Sequence, residues 1–447
     1  MALAYPDCNR KNSDVLYLSI TIVAAAFLFA TSVSILSEST LDHHTAPVTS
    51  VYAQPYVETV KHRDLTLDLV NGTKTNAQLT IPAVGEGPFP GVLLLPGSGA
   101  VDLNETEGHI RIDNKTGSKI YPDGQPLFQI ANYLSERGFV TLRYDKRGIG
   151  PNYTISDSNA WGNLTFNNLK QDAERALSLL LQQPEVNATE KATIFGHSEA
   201  TTVAPRIAVD NPDKVKNVVL MGAIAQNALK DVQYYQEVTA PLLYAERVLD
   251  KDHKGLFSVA QASEDPIFQR LINQASGSDL AHVFSFIKSN VTETQNRTAQ
   301  KQPIPSEANV SIISIENELK PALVASYENH TSFALSMFSA KCLNLLGCPA
   351  WVMSHIALDN TLSMIGNVSS SILILQGEND SQVPLEQGLL LQQRLTEVNH
   401  PDHLLIAYPN LGHAFSPSNE WISSFGPVEQ YVLQDMYEWL VSPARGQ

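Results

Sequence analysis

Three residues far apart in the chain have the types that nucleophilic catalysis needs: Ser198, Asp380 and His413. Ser198 lies in Gly196-His197-Ser198-Glu199-Ala200, between the strand-like run "KATIFGH" and the helix-like run "SEATTVAPRIAVD". A serine hydroxyl is a weak nucleophile until a base takes its proton. An imidazole base in turn needs a carboxylate to hold its tautomer and to stabilise the cation that forms. Asp380 follows an apolar run in "ILILQGENDSQVP", and His413 follows the next in "LLIAYPNLGHAF". Each sits just past the C-terminal end of its run, in the order Ser, Asp, His. Glu378, earlier in the same turn as Asp380, is the alternative acid. Singly, these residues also read as a strand-to-helix connection, a turn or helix-capping aspartate and a loop histidine. Their joint occurrence argues for chemistry.

The serine turn fits this role. A sharp strand–serine–helix turn has no room for large side chains two positions either side of the serine, and Gly196 and Ala200 are small. Such a turn lifts the hydroxyl above the sheet at the positive end of a helix. Acyl transfer also needs donors for a developing oxyanion. "LLLPGSGAVD" offers amides without bulky side chains, so the expected donors are the N–H of Ser98, with Gly99 as a rival, and the N–H of Glu199. One such donor contributes about 2.7–4 kcal/mol. "PGSGAVD" lacks the spacing and the lysine of a phosphate-binding loop and is not GxGxxG.

The elements that must position these groups alternate. "KHRDLTLDLVNG" and "TNAQLTIPA" read as antiparallel strands about a turn at Asn71-Gly72. "GVLLLP", "FVTLRYD", "KATIFGH", "KVKNVVLMGA", "SSILILQG" and "HLLIAYP" read as buried strands. "PLFQIANYLSERG", "FNNLKQDAERALSLLLQQ", residues 385–397 and "PVEQYVLQDMYEWLV" have helical spacing. Continuous apolar strands alternating with helices predict an α/β fold, a mostly parallel sheet flanked by helices. The pattern stops over residues 226–366, which read as helical or irregular with no clear strand. An insertion between late strands is expected to form a mainly helical cap over the sheet edge where ligands of such folds bind. The expected divisions are 1–37, 38–58 as a linker, 59–225 with 367–447 as the core, and 226–366 as the cap.

The chain has 447 residues, 43% of them hydrophobic, and a formal net charge of −16, which argues against nucleic acid as a partner. Val15 to Leu36 is free of charge and long enough to span a bilayer. With Arg10 and Lys11 before it, it reads as a membrane anchor with the N-terminus inside and the remainder outside. A cleaved signal segment, cut near "VYA", is the alternative. Eleven Asn-x-Ser/Thr sequons, at Asn71, Asn104, Asn114, Asn152, Asn163, Asn187, Asn290, Asn296, Asn309, Asn329 and Asn367, exceed the roughly four expected by chance and point to a glycoprotein outside the cytoplasm. Of three cysteines, Cys8 precedes the apolar run. Cys342 and Cys348 either pair or are inert buried thiols. There is no CxxC or HExxH, so no metal is expected, and the chemistry needs no cofactor.

"LLLPGSGAVD", "RYDKRGIG", "GHSEA", "LQGENDSQVP" and "YPNLGHAF" together resemble the α/β-hydrolase superfamily from about residue 60 to 445. The resemblance is to the serine esterase branch related to dienelactone hydrolase and prolyl oligopeptidase. The fifth position of the serine motif is Ala rather than the usual Gly. The resemblance implies hydrolysis of a small-molecule ester, a thioester or a peptide amide by an acyl-enzyme route, without saying which. An acyltransferase and a non-catalytic surface binding module on the same scaffold are the other readings. No propeller repeats of the prolyl-oligopeptidase type precede the core. "RYDKRGIG" is expected to brace loops near the site, with Asp145 and Arg147 as an ion pair. Glu199 either faces the pocket or caps its helix. The loop 103–124 is expected near the mouth of the site, and "DKDHK" (250–254) as a solvated turn. Activity by this route should rise with pH as the base loses its proton, around pH 6–7 for an ordinary histidine.

Overall fold

Burial along the strands sets the architecture: Gly91–Leu95, Val140–Tyr144 and Ala192–His197 are buried throughout, while Val60–Asp68 is buried only in part. The computed structural model describes residues 58–113, 117–151, 154–276, 312–336 and 349–442, all within one unit, Val57–Gln447. In chain order the principal elements are β1 (Val60–Asp68), β2 (Lys74–Pro82), β3 (Gly91–Leu95), α1 (Pro126–Ser135), β4 (Val140–Tyr144), α2 (Phe166–Leu181), β5 (Ala192–His197), α3 (Ala200–Asp210) and β6 (Val215–Met221). Then come α4 (Pro266–Ser276), α5 (Lys320–Ser336), α6 (Pro349–Ile356), β7 (Ser371–Gly377), α7 (Leu385–Glu397), β8 (His403–Tyr408) and α8 (Gln430–Val441). Eight strands form one sheet in the order β1-β2-β4-β3-β5-β6-β7-β8. From β4 to β8 every pairing is parallel; β1 and β2 add antiparallel at the other edge. Between β1 and β2 the chain turns at Asn71 and Gly72, both with positive φ.

Successive strand residues point to opposite faces, and both faces are covered. Leu93, Ile194, Val218 and Ile374 pack with α2, α3 and α7 through Leu177, Ala204 and Leu391. Leu94, Phe195, Val219 and Leu375 pack on the other face with α1 and α8 through Ile130, Leu134, Leu433 and Met436. This is why the strands read as unbroken apolar runs. Local signals fix the helix starts: Pro126 opens α1, and Thr165 and Asn168 form a reciprocal capping box at α2.

The insertion between β6 and β7 is mainly helical where it is described, but it also contains a two-stranded antiparallel ribbon, Leu256–Ser258 with Ile312–Ser314. That corrects the expectation of no strand there. The two strands are three residues long and lie far apart in sequence, too short for a periodic signal. Residues 228–249 form a helical run broken by wide π-type turns. In 250–254 the residues after Asp250 are exposed. Asp250 is buried and caps the turn by accepting from the amides of Lys254 (2.9 Å) and Gly255 (2.6 Å). The insertion has its own apolar cluster, including Tyr244, Phe257, Phe268, Ile313 and Leu319. Trp421 and Ile422 from the loop after β8 complete it. Among the described residues no helix is long and apolar enough to cross a membrane. The run 15–36, the cysteines and several sequons lie outside the described residues.

Candidate active site

Ser198 stands at the top of the central strand β5 with φ 53°, in the left-handed region that a non-glycine residue rarely adopts. The surrounding chain holds it there. Ser198 N–H donates to the Met221 carbonyl at the end of β6 (2.9 Å), and the Thr201 hydroxyl donates to the Ser198 carbonyl (2.6 Å). A Cβ on Gly196 would stand 2.6 Å from the Ala200 carbonyl oxygen, so this turn closes only over glycine. Ala200 is buried under it.

Asp380 and His413 meet beside this turn. The Asp380 Oδ1 accepts from the amides of Gln382 (2.9 Å) and Val383 (2.8 Å), which leaves Oδ2 for His413 Nδ1 at 2.8 Å. Both residues are buried. Because Nδ1 faces the carboxylate, Nε2 is the nitrogen left for a proton transfer. Gly222, at φ 65° after β6, makes room for the imidazole: a Cβ there would lie 3.0 Å from its ring. Ser198 Oγ and His413 are not hydrogen-bonded in this structure. Such contacts often tighten only when substrate is bound.

His197, next to the serine, ties these parts together. Its Nε2 donates to the His413 carbonyl (3.0 Å), its Nδ1 meets Glu105 Oε1 (2.9 Å), and its ring lies 4.8 Å from that of His413. Glu105 comes from the loop after β3, which places part of the 103–124 segment at the site. The same oxygen accepts the Gly97 N–H at 2.6 Å. Among the described hydrogen bonds, none engages the N–H of Ser98, Gly99 or Glu199. The three expected oxyanion donors are therefore free, whereas Gly97 is taken. Ser98 is exposed and Glu199 buried.

The Glu199 side chain neither faces solvent nor caps its helix. It accepts from Lys146 Nζ (2.6 Å) and from Trp351 Nε1 of α6 in the insertion. His355 Nε2 stands 3.0 Å from Oε1, off hydrogen-bond alignment. Burial works to raise the Glu199 pKa, but the ammonium of Lys146 and the nearby His355 outweigh it and hold the carboxyl down at about 2. Lys146 also donates to the Gly97 carbonyl. The sequence reading missed His197, Glu105, Lys146 and Trp351. Nothing local marks them, since each acts across a long sequence separation.

The expected Asp145–Arg147 pair does not form. Asp145 accepts from Asn76 Nδ2 (2.8 Å) and the Leu103 amide (2.7 Å), and burial pushes its carboxyl up. Arg147 turns to α2 and grips Asp172 with two hydrogen bonds, Nε to Oδ2 at 3.0 Å and Nη2 to Oδ1 at 2.5 Å. "RYDKRGIG" thus does tie the loop after β3 to the sheet, through Asp145 and Lys146. Among the described hydrogen bonds and ion pairs none joins Glu378 to His413; the Glu378 amide donates to the Tyr408 carbonyl (2.9 Å).

Comparison with known proteins bears on this arrangement. Residues 125–300 match the family model described as serine aminopeptidase, S33, and residues 350–445 match the prolyl oligopeptidase family. The chain is similar to esterase EstD of Thermotoga maritima, 31% identical over 176 residues, covering 39% of this chain and 35% of that protein. It is also similar to esterase FrsA of Serratia proteamaculans, 25% identical over 173 residues, 38% of this chain and 34% of that protein. The chain thus spans about a third of the length of these curated relatives. Among solved structures it resembles the α/β hydrolase GrgF from Penicillium sp. sh18 (15% identity, TM-score 0.42, 85% of this chain and 95% of that one). It also resembles a thermophilic esterase from Thermogutta terrifontis (15%, TM-score 0.41, 85% and 98%). The eight-stranded, mostly parallel sheet flanked by helices is an α/β fold, and on both sides of 301–349 the chain is similar in sequence to serine peptidase families, with a similarity to curated esterases over 38–39% of its length.

Proposed function

We propose that the chain is a serine hydrolase that cleaves carboxylic esters through an acyl-enzyme. The observation that carries this reading is the 2.8 Å Asp380–His413 hydrogen bond beside a serine held at φ 53°. His413 Nε2 takes the proton from Ser198 Oγ as the oxygen attacks the ester carbonyl. The N–H groups of Ser98 (or Gly99) and Glu199 receive the oxyanion. His413 returns the proton to the departing alcohol, and water then releases the acid by the same route in reverse. The curated relatives are named as esterases, which favours esters. Both family matches are peptidase families, which makes a peptide amide the second reading. A thioesterase or acyltransferase would use the same groups.

The catalytic domain is proposed to lie outside the cytoplasm, anchored or released through the segment 15–36. The sequons support this, and Asn71, Asn163 and Asn367 are exposed. Turnover of p-nitrophenyl esters from acetate to palmitate, beside Ser198→Ala, tests the activity. Loss of turnover in the variant is expected, with a rate that rises from pH 5 to 8. An undiminished Ser198→Ala, or a rate falling steadily over that range, would sink it. A binding module without catalysis would show no turnover and would not label with a fluorophosphonate.

A further inference from the structure

Lys146 is left unused by the roles just given, yet it sits at their centre. It is 3% exposed, and its ammonium makes two contacts: the Gly97 carbonyl oxygen and, at 2.6 Å, Glu199 Oε2. These acceptors belong to the two backbone segments on either side of the nucleophile. The loop after β3 runs against Ser198, since a Cβ on Gly97 would lie 3.2 Å from the serine Cβ. Glu199 is the residue after it. The Gly97–Ser98 peptide unit is planar and trans, so its carbonyl and the Ser98 N–H point in opposite directions along one rigid plane. A grip on the oxygen therefore sets the aim of the N–H. The preceding peptide unit is also tied, because the Gly97 N–H donates to Glu105 at 2.6 Å. On the other side, Lys146 and Trp351 hold the Glu199 carboxylate, which restrains the residue whose N–H is the second donor.

We propose that Lys146 is a positioning residue that aligns both oxyanion donors by bridging the Gly97 carbonyl and the Glu199 carboxylate. The inference rests on the acyl-transfer reading above. An ammonium on a carbonyl oxygen also polarises the amide and makes the Ser98 N–H a stronger donor. Donors aimed at the tetrahedral oxyanion act in the transition state, so their misalignment lowers kcat and leaves KM nearly unchanged.

The test uses the whole chain with p-nitrophenyl butyrate and three variants: Ser198→Ala, Lys146→Arg and the double variant Lys146→Met/Glu199→Gln. The double variant removes both charges, so no carboxylate is stranded in the interior. Rates of the wild type and the two Lys146 variants are referred to sites titrated with a fluorophosphonate, so that unfolded chain is not counted, and Ser198→Ala, which has no site to titrate, is compared at matched concentration of folded chain. The double variant is expected to lose about 10–100-fold in kcat, less than the 10²–10³ of deleting a donor outright, with KM within about twofold. Phenylboronic acid, which forms a tetrahedral adduct on the serine, should lose affinity by a similar factor. Lys146→Arg should recover part of both, because it restores the charge in a different geometry. Unchanged kcat and unchanged phenylboronic acid affinity in the titrated double variant would overturn the inference, as would a loss confined to KM. If Ser198→Ala is inactive while the double variant behaves as wild type, only the role of Lys146 falls. If Ser198→Ala is fully active, the acyl-enzyme reading falls and this inference with it.

Discussion

The sheet core and the insertion hide different things. In the core the ion pairs Lys146–Glu199 and Arg147–Asp172 are almost wholly buried, with side chains 3–6% exposed. In the insertion the pairs Lys254–Asp252 and Lys320–Glu316 lie at the surface, and the interior is mostly hydrocarbon and aromatic. Buried pairs cost desolvation and are held by geometry, so they can fix a backbone segment in place; exposed pairs contribute little. The core therefore holds the groups proposed to react. The insertion adds a packed layer, reaching the site through Trp351 and the loop of His413 through its contacts with Trp421 and Ile422.

This division orders the expected effects. The largest belong to the proposed catalytic groups. Ser198→Ala or His413→Ala should lower kcat by about 10⁶-fold, and Asp380→Asn by about 10⁴-fold through loss of the correct imidazole tautomer. Esterase kinetics at matched concentrations of folded chain check both. A loss of tenfold or less in any of the three would break the assignment of chemistry to the core.

Next come stability changes. Asp172→Ala leaves the Arg147 guanidinium unpaired inside the core and should cost about 3–5 kcal/mol in urea unfolding. Phe268→Ala, deep in the insertion cluster, should cost a similar 3–5 kcal/mol by cavity formation and shift the preferred ester chain length. If Phe268→Ala changed kcat on short esters as much as a core variant does, the separation of roles would be wrong. Trp351→Phe keeps an aromatic side chain, though a smaller one, and removes one hydrogen bond to a carboxylate, an effect of about 1.5–3 kcal/mol on stability.

The smallest effect is on pH. His400 is buried, and burial lowers its pKa; its ring accepts from the Asp402 amide (3.3 Å) and donates to the Val368 carbonyl (2.9 Å), as a neutral imidazole does. Below the ordinary value of 6.5 the unfolded chain takes up a proton that the folded chain resists, so acidification favours unfolding. Thermal melts between pH 7.5 and 5.5 should show a fall that His400→Gln flattens. Identical slopes would remove His400 from the account.

Much of the core was legible because a parallel sheet covered on both sides needs unbroken apolar strands, and those runs sit between clear turn signals. Ser198, Asp380 and His413 could be singled out as candidates because each follows such a strand. The supporting groups were not legible. A lysine, a glutamate and an arginine in "RYDKRGIG" and "GHSEA" look solvated in sequence. Their burial depends on partners between 25 and 152 positions away, as with Arg147–Asp172 and Glu199–Trp351. The insertion was opaque for another reason. Wide turns at Ala228–Gln233, Tyr235–Thr239 and Ala245–Leu249 shift the apolar spacing away from the 3.6 residues of an α-helix, and the ribbon strands are too short to show alternation.

The central claim is that Ser198 is the nucleophile, and the most direct measurement is fluorophosphonate labelling of the full chain followed by peptide mass spectrometry. The account predicts one label per chain, on the peptide containing Gly196 to Ala200, with esterase activity lost in proportion to labelling. A fully active chain with Ser198 labelled to completion, or loss of activity with the label on another serine, would contradict it.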